Sequence, residues 1–210
     1  MVRPFLVLVV VVVAAVPLAA CGDGSHTTAT TSTATPSATT TTPTKTDTTT
    51  TPTTPQGGID TMSGASTRPV HVPATNETTA LLTDVRAARH EGFDRVVFQF
   101  RDALPGYDIR YVSRPVQQDG SGKVVSITGN YVVQIRMENA LDADLTQASA
   151  PLTYTGPQRF NPATPEVGEL ARAGGFEGVL TWVAGLQDRV DFRVTTLTAP
   201  ARLIVDFRTH

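Results

Sequence analysis

Few residues of this chain could do covalent chemistry. Its only thiol is Cys21, directly behind Leu18-Ala19-Ala20, and from Ala80 onward the histidines are His90 and His210. A Ser-His-Asp relay needs a serine held against a histidine that a carboxylate orients, and no Gly-x-Ser-x-Gly elbow supplies that serine. His90 stands in Ala88-Arg89-His90-Glu91-Gly92, which reads as an exposed polar turn. With no cysteine in this part and no histidine pair at helical or finger spacing, a metal site lacks ligands. Gly120-Ser121-Gly122 is too short for a phosphate-cradling loop. Asp84, Asp94, Glu177 and Asp206 are carboxylates of the general acid–base type, but nothing in their spacing brings two of them together. The expectation is a non-enzyme with no catalytic residue, no metal and no cofactor.

Non-covalent recognition is better supplied. Tyr107, Tyr111, Tyr131, Tyr154 and Trp182 occur with Arg110, Arg136 and Arg159 near several of them. A ring with an apolar face and a polar tip suits sugar or peptide contact. An arginine offers planar, bidentate bonds to a carboxylate. Tyr131 and Trp182 lie on alternating, strand-like stretches and are read as core. Tyr154, in Tyr154-Thr155-Gly156-Pro157, is read as an exposed ring. The candidate ligand-contact residues are therefore Tyr154, Arg159, Tyr111 and Arg110.

The elements that must carry these residues are mostly strands. In 93–100, Val96, Phe98 and Phe100 share one face while Arg95, Val97 and Gln99 share the other. Tyr131, Val133, Ile135 and Met137 alternate with Val132, Gln134 and Arg136, and Leu203, Val205 and Phe207 alternate with Arg202, Asp206 and Arg208. Further strands are expected over 81–86, 108–112, 124–127, 179–184 and 190–195, with a short one near 152–155. Thr164-Pro165-Glu166 has the form of a helix start, with Val167, Leu170 and Ala171 on one face and Gly174-Gly175 as the stop. The fold class expected is mainly β: an antiparallel β-sandwich-like domain with one short α-helix, preceded by a signal segment and a disordered linker.

The first third of the chain differs in kind. Met1-Val2-Arg3 precedes a valine-rich apolar run from Phe5 to Val16, then Pro17 and small residues up to Cys21. This is the layout of a secretory signal, too short for a comfortable membrane span. With the cysteine placed after Leu-Ala-Ala, it resembles a bacterial lipoprotein signal. That resemblance implies removal of residues 1–20 and lipid on the sulfur and amino group of Cys21. Two or more acyl chains hold a protein stably at a membrane, so the expected partner is the membrane, through a lipid anchor. Behind the cysteine, threonine makes up 18 of the 28 residues from Thr27 to Thr54, and no aromatic residue occurs between Phe5 and Phe93. Such a segment buries too little apolar surface to offset its chain entropy. Residues 21–79 are accordingly read as lipid attachment cysteine plus a Thr/Pro-rich disordered linker, either plain or O-glycosylated. As a coil, residues 22–75 reach on the order of 40 Å.

Residues 80–210 form the third part, read as a β domain. It carries 14 Lys and Arg against 15 Asp and Glu, which offers no general attraction for nucleic acid. A lone cysteine allows no intrachain disulfide, so the domain must stand on its own core. Gly92-Phe93-Asp94-Arg95-Val96-Val97-Phe98, Tyr154-Thr155-Gly156-Pro157, Glu177-Gly178-Val179-Leu180-Thr181-Trp182 and Arg202-Leu203-Ile204-Val205-Asp206-Phe207 resemble the AMIN-like domain of actinobacterial lipoproteins. The resemblance implies a small β-sandwich that localises an envelope protein and binds peptidoglycan without catalysis. It carries over no binding residues. The expected place is the outer face of the cell membrane, lipid-anchored and extending into the cell wall. The alternative is a protein-interaction subunit of a membrane-associated envelope complex.

Overall fold

The computed structural model describes residues 62–75 and 77–210. The signal segment 1–20, Cys21 and the linker as far as residue 61 lie outside the described residues. Within them the chain forms strands β1 (Val70–Val72), β2 (Ala80–His90), β3 (Phe93–Arg101), β4 (Gly106–Val112), β5 (Val116–Gln117), β6 (Val124–Val125), β7 (Tyr131–Glu138), β8 (Ala140–Leu141), β9 (Arg159–Phe160), β10 (Val167–Phe176), β11 (Val179–Leu186), β12 (Phe192–Thr198) and β13 (Ala201–Arg208). One sheet runs β1-β4-β7-β11-β10-β9 and a second β12-β13-β3-β2-β8, with β5-β6 as a separate hairpin. The pairing is antiparallel throughout except at the short β2–β8 contact.

The period-2 alternation explains why the two sheets stack. Val96, Phe98 and Phe100 of β3 and Leu203, Val205 and Phe207 of β13 meet Ile109 of β4, Ile135 and Met137 of β7 and Trp182 of β11 in one core. Trp182 is fully buried and stands edge-on to Phe98 (5.9 Å between centroids) and Tyr154 (5.8 Å). A second, smaller cluster lies on the other side of the larger sheet, where Val116 and Ile127 cover Val132, Ala171 and Val183. Asp206 points away from the main core yet is fully buried. Arg95 and Arg193, its cross-strand neighbours, close over it and donate to its carboxylate at 2.7–2.9 Å.

Two expectations are corrected. No helix forms over 164–175: Val167–Phe176 is strand β10, paired along its length with β11. Register shifts between Val167 and Glu169 and between Arg172 and Gly174 each insert a residue. The first puts Val167 and Leu170, three residues apart, into the same core, which in sequence imitates helical spacing. The apparent helix cap is absent as well. The Thr164 hydroxyl donates to the Val167 carbonyl, while the amides of Glu166 and Val167 donate to Asp94 of the other sheet at 2.6 and 3.0 Å. Gly174 does not end an element; it sits in the second bulge at φ +147°, where a Cβ would come within 3.1 Å of the Asp119 amide.

The second correction concerns the described residues 62–75 and 77–79, placed by composition in the disordered linker. Met62 is buried, Ser66 exchanges main-chain hydrogen bonds with Phe192 at 3.0 and 3.1 Å, and β1 adds an edge strand to β4. Backbone pairing needs little apolar side chain, so composition does not report it.

Candidate functional site

The four residues proposed as ligand contacts do not converge. Tyr154 is buried, not exposed: its ring lies against Trp182 and over Gly156, and its hydroxyl donates to the Pro157 carbonyl at 2.8 Å. The polar turn that suggested exposure folds the ring back on itself, since a Cβ on Gly156 would sit 2.7 Å from that ring. Arg159 is on β9 and pairs with Glu169 of β10. Arg110 is on β4, four strand positions away, or about 19 Å at the usual interstrand spacing, and lies 3.5 Å from Asp108. Tyr111, the next residue of β4, projects to the opposite face, toward the core.

Tyr111 nevertheless leads to a site. It lines an open cleft of about 510 Å³ with Arg114, Asn130, Tyr131 and Arg189, a volume within the range of small-ligand sites. The cleft lies where the end of β4, the start of β7 and the loop after β11 come together. Tyr131, expected in the core, is 40% exposed here. Arg114 donates to the carbonyls of Ile127, Gly129 and Asn130 at 2.7–3.3 Å. The Arg189 guanidinium stands 4.3 Å from the centre of the Tyr111 ring. Among the described residues, neither arginine has a carboxylate partner.

The loop bearing Arg189 is pinned on both sides of that residue. The Gln187 amide donates to the Glu166 carbonyl (3.0 Å), and the Gln187 carbonyl accepts from the Asn130 side chain (2.8 Å). The Asp188 amide donates to the Glu166 carboxylate (2.9 Å). The Tyr111 hydroxyl donates to the Val190 carbonyl (2.6 Å) and accepts from the Val190 amide (3.0 Å). Burial pushes the Tyr111 hydroxyl up to about 12, so it remains a neutral phenol able to make both bonds.

Glu166 supports this loop from below and is itself buried. Burial raises its carboxyl above the ordinary 4.5; the Asp188 amide opposes this, and the nearby Asp188 and Asp94 carboxylates add to it. A carboxyl raised on folding is penalised when ionised, and the penalty disappears as pH falls through its folded pKa. Glu166→Gln keeps the acceptor for Asp188 and removes the charge. It should melt up to about 3 °C higher than the parent at pH 7, the advantage closing as pH falls toward 4. A variant that gains nothing at pH 7, or whose advantage grows in acid, contradicts this account; a melting series across pH measures it.

Sequence reasoning missed Arg114, Tyr131, Arg189 and Glu166 as a group. They come from separate loops and strand ends, and only the pairing of β4 with β7 and β7 with β11 makes those ends neighbours. Gly129-Asn130 and Gly185-Leu186-Gln187-Asp188 have turn composition, but nothing in the sequence makes them parts of one place. Among the described residues no three His, Cys, Asp or Glu side chains group as metal ligands.

A family model for the AMIN-like domain matches residues 80–209, more than half of the chain. No curated protein and no solved structure matches it. The matched span takes in β2 to β13 with the core they enclose, and Tyr111, Arg114, Tyr131 and Arg189 all fall inside it. On that match the chain belongs to the AMIN-like domain family.

Proposed function

We propose that this protein is a lipid-anchored, non-catalytic binding module of the bacterial cell envelope, whose AMIN-like domain holds peptidoglycan. An AMIN-like domain points to a peptidoglycan-associated or envelope role. The observation that carries the binding reading is the cleft between Tyr111, Tyr131, Arg114 and Arg189. Rings and guanidinium groups without a carboxylate partner are the side chains that a polymer of sugars and anionic peptides calls for. Cys21, as the acylated mature N-terminus, fixes the chain at the membrane, and the threonine-rich stretch lets the domain reach into the wall.

Sedimentation of the detergent-solubilised mature chain with purified peptidoglycan tests the reading. The expected result is retention in the wall pellet with no release of soluble fragments. Failure to pellet, together with recovery of a specific envelope protein, favours an interaction subunit instead. Release of wall fragments contradicts a non-catalytic module. Mass spectrometry of the cell-derived protein should show a mature terminus at Cys21 carrying lipid; an unmodified Cys21 or an intact Met1 removes the anchor.

A further inference from the structure

We infer that Arg189, stacked on Tyr111 and lining the cleft with Tyr131 and Arg114, receives a free carboxylate of the wall's stem peptide; the inference rests on the peptidoglycan-binding reading.

Several arginines of the sandwich are already engaged. Arg95 and Arg193 close on Asp206, Arg86 on Asp84, Arg159 on Glu169 and Arg172 on Asp142. Arg189 differs. Its residue is exposed, its guanidinium lies against a ring, and it makes no ion pair among the described residues. An arginine held against a ring keeps its N–H donors, whereas an ion pair consumes them. The acids beside it in sequence do not line the cleft, and Asp191 faces Arg208 at 3.8 Å.

The backbone is fixed as well. Gln187 and Asp188 are hydrogen-bonded to Glu166, Gln187 also to Asn130, and Val190 to Tyr111, so Arg189 is presented from a loop pinned on both sides although it is solvent-exposed. Holding a binding group in place before the ligand arrives lowers the ordering cost of association. Arg114 adds a second positive charge, already oriented by three carbonyls. Tyr131 offers a partly exposed ring for the chain next to the carboxylate. Two guanidinium groups with no acid in the lining select an anion. The planar fork favours a carboxylate, which it meets with two parallel bonds.

The test titrates the detergent-solubilised mature chain with a disaccharide-peptide released from peptidoglycan by a muramidase. Parallel titrations use the same compound with its carboxylates amidated, and glycan strands stripped of peptide by an amidase. Free carboxylates should give the tightest binding, weakened about tenfold or more by amidation. Arg189→Gln should lose about the same factor on the free compound and nothing further on the amidated one. Arg189→Lys should fall between. Since Arg189 is exposed, its variants should melt with the parent.

Equal binding of bare glycan strands, whose lactyl carboxylates the amidase frees, overturns the stem-peptide assignment, and an Arg189→Gln variant with unchanged affinity overturns the carboxylate assignment; either result leaves wall binding intact. So does loss of binding when walls are acid-extracted to remove phosphate polymers, which would make phosphate the anion. If neither intact walls nor the released fragment is bound, the peptidoglycan reading fails and the carboxylate site with it.

Discussion

Gly185→Ala should disrupt the domain at the point where the cleft is built. A Cβ at position 185 would lie 1.7 Å from the Thr128 carbonyl oxygen and 2.9 Å from Ile127. The first obstacle is backbone and cannot rotate away. The 127–130 turn would have to lift off β11, yet it is held there closely. The Asn130 amide donates to the Leu186 carbonyl at 2.7 Å, and Gly129, at φ +112°, approaches that same carbonyl so nearly that its own Cβ would be 2.7 Å away. Overpacking against a fixed neighbour costs about 3 kcal/mol and more where the backbone must move. We expect Gly185→Ala to melt roughly 10 °C below the parent. Any folded fraction should bind wall fragments weakly, because the acceptors that orient Arg114 sit on the displaced turn. Unchanged melting, measured by circular dichroism, contradicts the described contact.

Trp182→Ala should cost still more. The indole is fully buried between Phe98 of the facing sheet and Tyr154, and it links the two sheets at the centre of the main core. Truncating a buried tryptophan costs about 3–5 kcal/mol, through lost transfer energy and the cavity left behind. That is a large share of the roughly 5–15 kcal/mol by which a domain is stable. Trp182→Ala should therefore melt about 15 °C lower or fail to accumulate folded. Trp182→Phe separates packing from polarity. Among the described residues the buried indole nitrogen has no hydrogen-bond partner, so a phenyl ring gives up no such bond and keeps most of the contact. It should lose less than half as much. If the phenylalanine variant is as damaged as the alanine one, ring packing is not what holds the sheets together.

How legible each part was depended on what kind of interaction sets it. Where burial on one face sets the structure, the alternation was plain: Val96, Phe98 and Phe100, or Leu203, Val205 and Phe207, turn inward as their spacing requires. Where long-range pairing overrides local preference, it was not. Thr164-Pro165-Glu166 carries helix-start residue types, but Asp94, far away in sequence, takes up the amides a cap would satisfy, and two bulges reshape the apolar spacing of β10. Tyr154 looked exposed because its neighbours are polar; its burial depends on Gly156 having no side chain to block the ring. The cleft was the least visible. Tyr111 alone had been singled out, and Arg114, Tyr131 and Arg189 become its neighbours only once strand order is known.

Hydrogen exchange of the detergent-solubilised mature chain, with and without the muramidase-released disaccharide-peptide, tests the central claim most directly. Bound fragment should slow exchange in the segments 111–114, 129–131 and 187–191 and leave the outer face of the β2–β3–β13 sheet unchanged. No protection at saturating fragment, or protection confined to that other sheet, would contradict a wall-binding cleft at Arg189.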